Sequence, residues 1–130
     1  MRDIKLIQNH IENKLNVWIN KYPERKKLYA GTTEKRIQDR LETHKHKENA
    51  IIHLLYTFKK LTVKEENQII NLGTESDIYN IIKDSETYAI QIVNDLCKNF
   101  QSYASLNINQ IGGGLTHNYG DVHKIYLLLK

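Results

Sequence analysis

Arg40 and His44 lie one helical turn apart on a stripe shared with Ile37 and Leu41, so both bases turn toward whatever the apolar residues cover. A guanidinium is permanently charged and forked, which suits a phosphate oxygen. An imidazole one turn on can share proton transfer or bind phosphate. Tyr29, at a strand end before Gly31, can bring a phenol to the same place. Glu86 stands three residues before Ala89 and extends the apolar stripe of a long helix. A carboxylate on such a face needs a partner, which Mg²⁺ or an arginine supplies. A phosphodiester hydrolase must activate a water, neutralise charge on the pentavalent phosphate and stabilise the leaving oxygen. These side chains have the types for that work. Each also has a plainer reading: a surface arginine packing its stem on Leu41, a half-buried strand tyrosine, a structural histidine, a first-turn acid favoured by the helix dipole.

Other candidates specify less. Glu65 and Glu66 compete with Glu86, but Glu65 fits a capping box with Thr62. The run His44-Lys45-His46-Lys47 lacks nearby carboxylates or cysteines and reads as a basic, solvated helix end able to touch a backbone phosphate. Gly112–Gly114 permits close backbone approach to a phosphate, although such a triplet is more often a loop.

The 130 residues suit one compact domain, and 40% hydrophobic with 26% charged residues excludes a disordered chain. Nineteen Lys and Arg against fifteen Asp and Glu give +4, and the pI is near 9.1. That balance favours an anionic partner, with a merely basic soluble surface as the even alternative. The single cysteine, Cys97, has no disulfide partner within the chain and falls at an apolar helical position. With no long apolar run, neither a signal peptide nor a membrane span is expected, and the compartment expected is the cytoplasm.

The elements that must position these residues follow from periodicity. Ile4, Ile7, Ile11 and Leu15 predict a first helix, with Asp3 as its cap. Residues 16–20 read as a strand, 22–26 as a turn and 27–31 as a second strand, making a hairpin of 16–31. Thr32 or Thr33 opens the helix of Arg40. A third helix is expected to carry Ala50, Ile51, Leu54, Leu55 and Phe58. A short one from Thr62 carries Ile69 and Ile70 and ends at Gly73, and another from Thr74 carries Ile78, Ile81 and Ile82. The longest helix starts near Ser85, with Ala89, Val93, Leu96, Phe100 and Tyr103 on one face. Residues 123–129 are apolar on both faces and predict a well-covered strand. The expected fold class is α+β, a small three-stranded mixed or antiparallel sheet flanked by several helices. The chain 1–130 is one domain with an N-terminal helical extension and a helical insertion at 47–84.

Residues 16–44 resemble the GIY-YIG nuclease family. There a Gly-Ile-Tyr strand and a Tyr-Ile-Gly strand lie about ten residues apart, followed by a helix with an Arg and often a Leu and a His. Asn16-Val17-Trp18, a ten-residue spacer, Tyr29-Ala30-Gly31 and Arg40-Leu41-Glu42-Thr43-His44 take those places. The resemblance implies that Tyr29 helps activate water or position phosphate, that Arg40 stabilises phosphate charge, and that Glu86 holds one Mg²⁺ or Mn²⁺. It implies support from His44, and from Asn107 as a brace, since Glu86, Ile90, Val93 and Asn107 follow the family's order loosely. Read as residues alone, Asn107 is a turn that ends a helix. The resemblance departs at Trp18 and Asn16, because an indole takes no proton from water; Tyr22 is a possible substitute. What it implies is a metal-dependent endonuclease on nucleic acid, DNA in the first instance, of a size that suits a phage, virus or mobile element. The alternatives are a non-catalytic module of the same fold that binds nucleic acid or protein, and an unrelated helical interaction domain. Convergence of Tyr29, Arg40 and Glu86 in space separates the first of these from the second.

Overall fold

The computed structural model describes residues 4–59, 62–65, 68–71, 75–107 and 122–130. Asp3, Glu66, Gly73, Thr74, Ile108 and Gly112–Gly114 lie outside them. The element order is α1 (Ile4–Lys21), β1 (Lys27–Thr33), α2 (Ile37–Thr43), β2 (Ile51–Lys59), β3 (Thr62–Glu65), β4 (Gln68–Asn71), α3 (Glu75–Asn99), β5 (Ala104–Ser105) and β6 (Val122–Leu129). The class is α+β, as expected. The main sheet has four strands rather than three, in the order β2-β6-β1-β5, and β3 pairs with β4 separately. β6 runs antiparallel to both β1 and β2, and β5 parallel to β1.

β6 is the centre of the molecule. Ile125, Tyr126, Leu127, Leu128 and Leu129 are each fully buried, because strands cover both edges and side chains cover both faces. One face packs Ile125, Leu127 and Leu129 against Ile7, Ile11, Leu15 and Ile19 of α1 and Ile82, Ala89, Ile90 and Val93 of α3. The other packs Tyr126, Leu128 and Ile52 with Tyr29, Ile37, Leu41 and Leu106. Full burial of an aliphatic side chain contributes roughly 1.5–3 kcal/mol, so this strand holds much of the stabilising area.

Three sequence readings are corrected. Residues 16–20 are helical: Ile7, Ile11, Leu15 and Ile19 are all buried at four-residue spacing, and that stripe overrides the local β-branched and aromatic composition. The hairpin of 16–31 therefore does not form. The stretch expected to be a helix at Ala50–Phe58 is β2, and the segment from Thr62 through Ile70 forms β3 and β4, so the 47–84 insertion is largely strand. A bulge between Leu54 and Tyr56 explains the first of these errors. It turns Leu55 and Phe58 into the same core, three residues apart, a spacing that on paper belongs to a helix. Finally, α3 is one helix beginning at Glu75, not two. Glu86 thus sits in its middle, beyond the reach of the first-turn dipole. Phe100 and Tyr103 lie past its end, and Phe100 is 57% exposed.

Asn107 acts on the backbone of β1. Ala104 N–H donates to Lys26 O at 2.8 Å and Leu106 N–H to Leu28 O at 2.7 Å. The Asn107 amide then makes the next rung, its Oδ1 accepting from Ala30 N–H at 2.9 Å and its Nδ2 donating to Ala30 O at 2.8 Å. It ties down the backbone between Tyr29 and Gly31. Asn107→Ala leaves an interior donor and acceptor without their partner, and such a loss costs about 1–3 kcal/mol. A lowered urea midpoint with an unchanged slope is the expected result; an unchanged midpoint would show that water replaces the amide at no cost.

Candidate functional site

On the face of the sheet covered by α2, side chains from β1, β6 and α2 meet around a missing side chain. Gly31 pairs with Tyr126 across the antiparallel ladder. A Cβ on Gly31 would lie 2.6 Å from the Tyr126 Oη, 2.8 Å from its Cζ and 2.9 Å from Tyr29 Cε1. Glycine is needed here for space: two phenol rings occupy what a side chain would fill. The rings of Tyr29 and Tyr126 lie 6.2 Å apart and only 21° from parallel. Tyr126 is fully buried, whereas Tyr29 keeps part of its surface in solvent.

α2 brings the cation. Arg40 Nε donates to Tyr126 Oη at 3.3 Å and Nη1 to Thr43 Oγ1 at 3.4 Å, with the guanidinium 5.8 Å from the Tyr126 ring centre. That bond leaves other N–H groups of the fork for a ligand. Lys35, Arg36, Lys45 and Lys47 on either side are exposed, interspersed with Glu34, Glu42 and Glu48, and Arg36 is paired with Asp39 at 2.9 Å.

His44 ends α2 as its C-cap. Its ring meets Tyr29 edge-on at 4.6 Å and Tyr126 at 6.0 Å. His44 Nδ1 accepts the His46 N–H at 3.1 Å, so the neutral ring carries its proton on Nε2. The Nε2 atoms of His44 and His46 are buried and have no hydrogen-bond partner. Burial, then the nearby Arg40, push His44 down to about 4. At neutral pH it is an uncharged donor. Between pH 4 and 6.5 the unfolded chain binds a proton that the folded chain refuses, so acidification through this window should destabilise the fold. Wild-type melting temperature is expected to fall across it, and His44→Gln to flatten the dependence; an equal slope in both would place the proton uptake elsewhere.

Glu86 enters from α3 and is 5% exposed. Burial raises the Tyr29 pKa, the Glu86 carboxylate raises it further, and the Arg40 guanidinium opposes them. Tyr126 is likewise held protonated, chiefly by burial, with Glu86 adding to the effect and Arg40 opposing it. Glu86 thus acts on the two phenols, and Arg40 on the phenols and on His44. Asn107 stands apart, its side-chain amide bonded to the Ala30 backbone.

Sequence reasoning missed Tyr126 and read His46 as part of a basic, solvated helix end, whereas its Nε2 is buried. A hydroxyl in the middle of the apolar run Ile125–Leu129 was the available signal for Tyr126. Trp18, taken as the stand-in for a first-strand tyrosine, belongs to α1. A tyrosine-bearing strand does pair antiparallel with Tyr29-Ala30-Gly31, but it is β6, from the far end of the chain. No protein-family model, curated protein or solved structure matches this chain. Among the described residues no helix is long and apolar enough to cross a membrane.

Proposed function

We propose that this domain is a metal-dependent endonuclease of GIY-YIG type, hydrolysing phosphodiester bonds in nucleic acid, DNA in the first instance. The observation that carries the reading is the convergence of Tyr29, Tyr126, Arg40 and His44 around Gly31, with the Glu86 carboxylate acting on both phenols. Support for the family comes from strand order in space. β6 takes the place that the linear sequence gave to residues 16–18, so the chain resembles a permuted version of the two-strand motif.

The roles follow from exposure and charge. Tyr29, partly open to solvent, is the phenol able to meet a water at the phosphate. Tyr126 is sealed under Gly31 and aims the Arg40 guanidinium, making it a positioning residue. Arg40 donates to phosphate oxygens as charge builds there, and His44, its Nε2 buried, backs the Tyr29 ring edge-on. One buried carboxylate fits Mg²⁺ or Mn²⁺, which needs few protein ligands when substrate phosphate and water complete its shell. Among the described residues no three His, Cys, Asp or Glu side chains gather. Glu86 would hold the ion, which when bound supplies charge neutralisation at the phosphate.

The test is nicking of supercoiled plasmid with Mg²⁺ or Mn²⁺, comparing wild type with Arg40→Ala. Loss of the guanidinium should slow nicking by about two to three orders of magnitude without lowering the melting temperature by more than a few degrees. Salt-sensitive binding by clean wild-type protein that never nicks would overturn catalysis and leave a binding module.

A further inference from the structure

The last turn of α1 carries an aromatic array that the reaction does not use. Trp18 stacks on His53 of β2 with centroids 3.8 Å apart and planes within 12°. Tyr22, one helical turn on, lies 5.4 Å from the same imidazole at 16°, and 6.5 Å from Trp18 at 20°. All three rings are near parallel, and each keeps part of its surface in solvent. The Lys21 ammonium lies 5.4 Å from the Trp18 centroid and 5.8 Å from that of Tyr22. Val17 beside them is 54% exposed.

Packing α1 on the sheet does not require this arrangement, because the buried stripe Ile7-Ile11-Leu15-Ile19 already does so. Rings that merely fill space meet edge-on as readily as stacked. A run of parallel, partly solvated rings beside an exposed cation instead suits one more flat ring attached to a negative charge. The position is also informative. The Trp18 indole N–H donates to the Leu54 carbonyl at 3.3 Å, and Leu54 is the residue of β2 paired with Tyr126. The array therefore lies at β2, an outer strand of the sheet, on the face opposite the tyrosine pair.

We propose that Trp18, Tyr22 and His53 form a stacking platform for an unpaired nucleobase, with Lys21 taking the adjoining phosphate, so that a single strand passing the outer edge of β2 is held at α1. This rests on the nucleic-acid reading above. A duplex hides the faces of its bases, whereas an unpaired base offers them, so the platform favours single-stranded or frayed substrate. Burial and Lys21 keep His53 uncharged at neutral pH, preserving a flat stacking surface.

Trp18 is the sole tryptophan, so its fluorescence reports the platform alone. The full chain, with divalent metal chelated to prevent cleavage, is titrated with a short deoxythymidine oligonucleotide. A matched abasic oligonucleotide and inorganic polyphosphate serve as base-free probes. Saturable quenching by the oligonucleotide, with little from either base-free probe, is the expected result. Tyr22→Leu keeps the reporter and should weaken single-strand binding by roughly tenfold, with circular dichroism checking its fold. Equal quenching by the abasic strand would reduce the platform to a charged surface and overturn the proposal. So would an unquenched Trp18 in protein that binds and nicks duplex plasmid, an outcome that spares the nuclease reading. Failure to bind either nucleic acid would remove both.

Discussion

Glu86→Gln is expected to lower metal-dependent nicking by about two to three orders of magnitude while leaving the fold intact. The side chain is 5% exposed in the middle of α3, and the amide has nearly the same shape. The amide keeps the packing of the buried side chain, so the protein should still melt cooperatively as a folded domain. A second readout needs no turnover. Because the carboxylate raises the pKa of both Tyr29 and Tyr126, its removal should move tyrosine deprotonation to lower pH in an ultraviolet titration. Nicking at the wild-type rate would remove Glu86 from the reaction. An unchanged titration would mean that the carboxylate lies out of reach of the phenols.

Gly31→Ala should be nearly as damaging, for a steric reason. The new methyl would meet the Tyr126 phenol at 2.6–2.8 Å and the Tyr29 ring at 2.9 Å, closer than carbon and oxygen tolerate. Tyr126 is fully enclosed and has nowhere to swing. Either β1 and β6 part slightly or the phenol releases Arg40. Overpacking of this kind costs about 1–3 kcal/mol in stability. A displacement near 1 Å at a reacting group costs about a hundredfold in rate. The expected signature is a moderate drop in melting temperature with a much larger drop in nicking. Wild-type nicking in this variant would show that the two rings give way without moving the guanidinium.

The sequence made some of this legible. The stripe Ile37-Arg40-Leu41-His44, the buried final strand and the long helix with Glu86 on its apolar face were readable because each depends on local periodicity. What failed depended on distant context. Residues 16–18 have strand-like composition, but the continuing stripe to Ile19 commits them to α1. The bulge in β2 gave Leu55 and Phe58 a helical spacing. Tyr126 went unrecognised because its importance comes from being opposite Gly31, a relation fixed by sheet register. The positioning of His46 likewise comes from a turn bond to His44.

The central place of β6 has a kinetic meaning. β1 and β2 are separated in the sheet by β6, so neither finds its main antiparallel partner until the most C-terminal element docks. Lys27 and Lys130 then close the ladder with mutual backbone bonds of 3.2 and 2.8 Å. Pairings so remote along the chain carry a large loop-closure cost and slow the search for the native state. Until that docking, β1 and β2 present raw strand edges able to recruit other chains. The same event joins Tyr126 to Tyr29 and Arg40, so activity and tertiary structure should appear together during refolding, with no half-folded species able to cut.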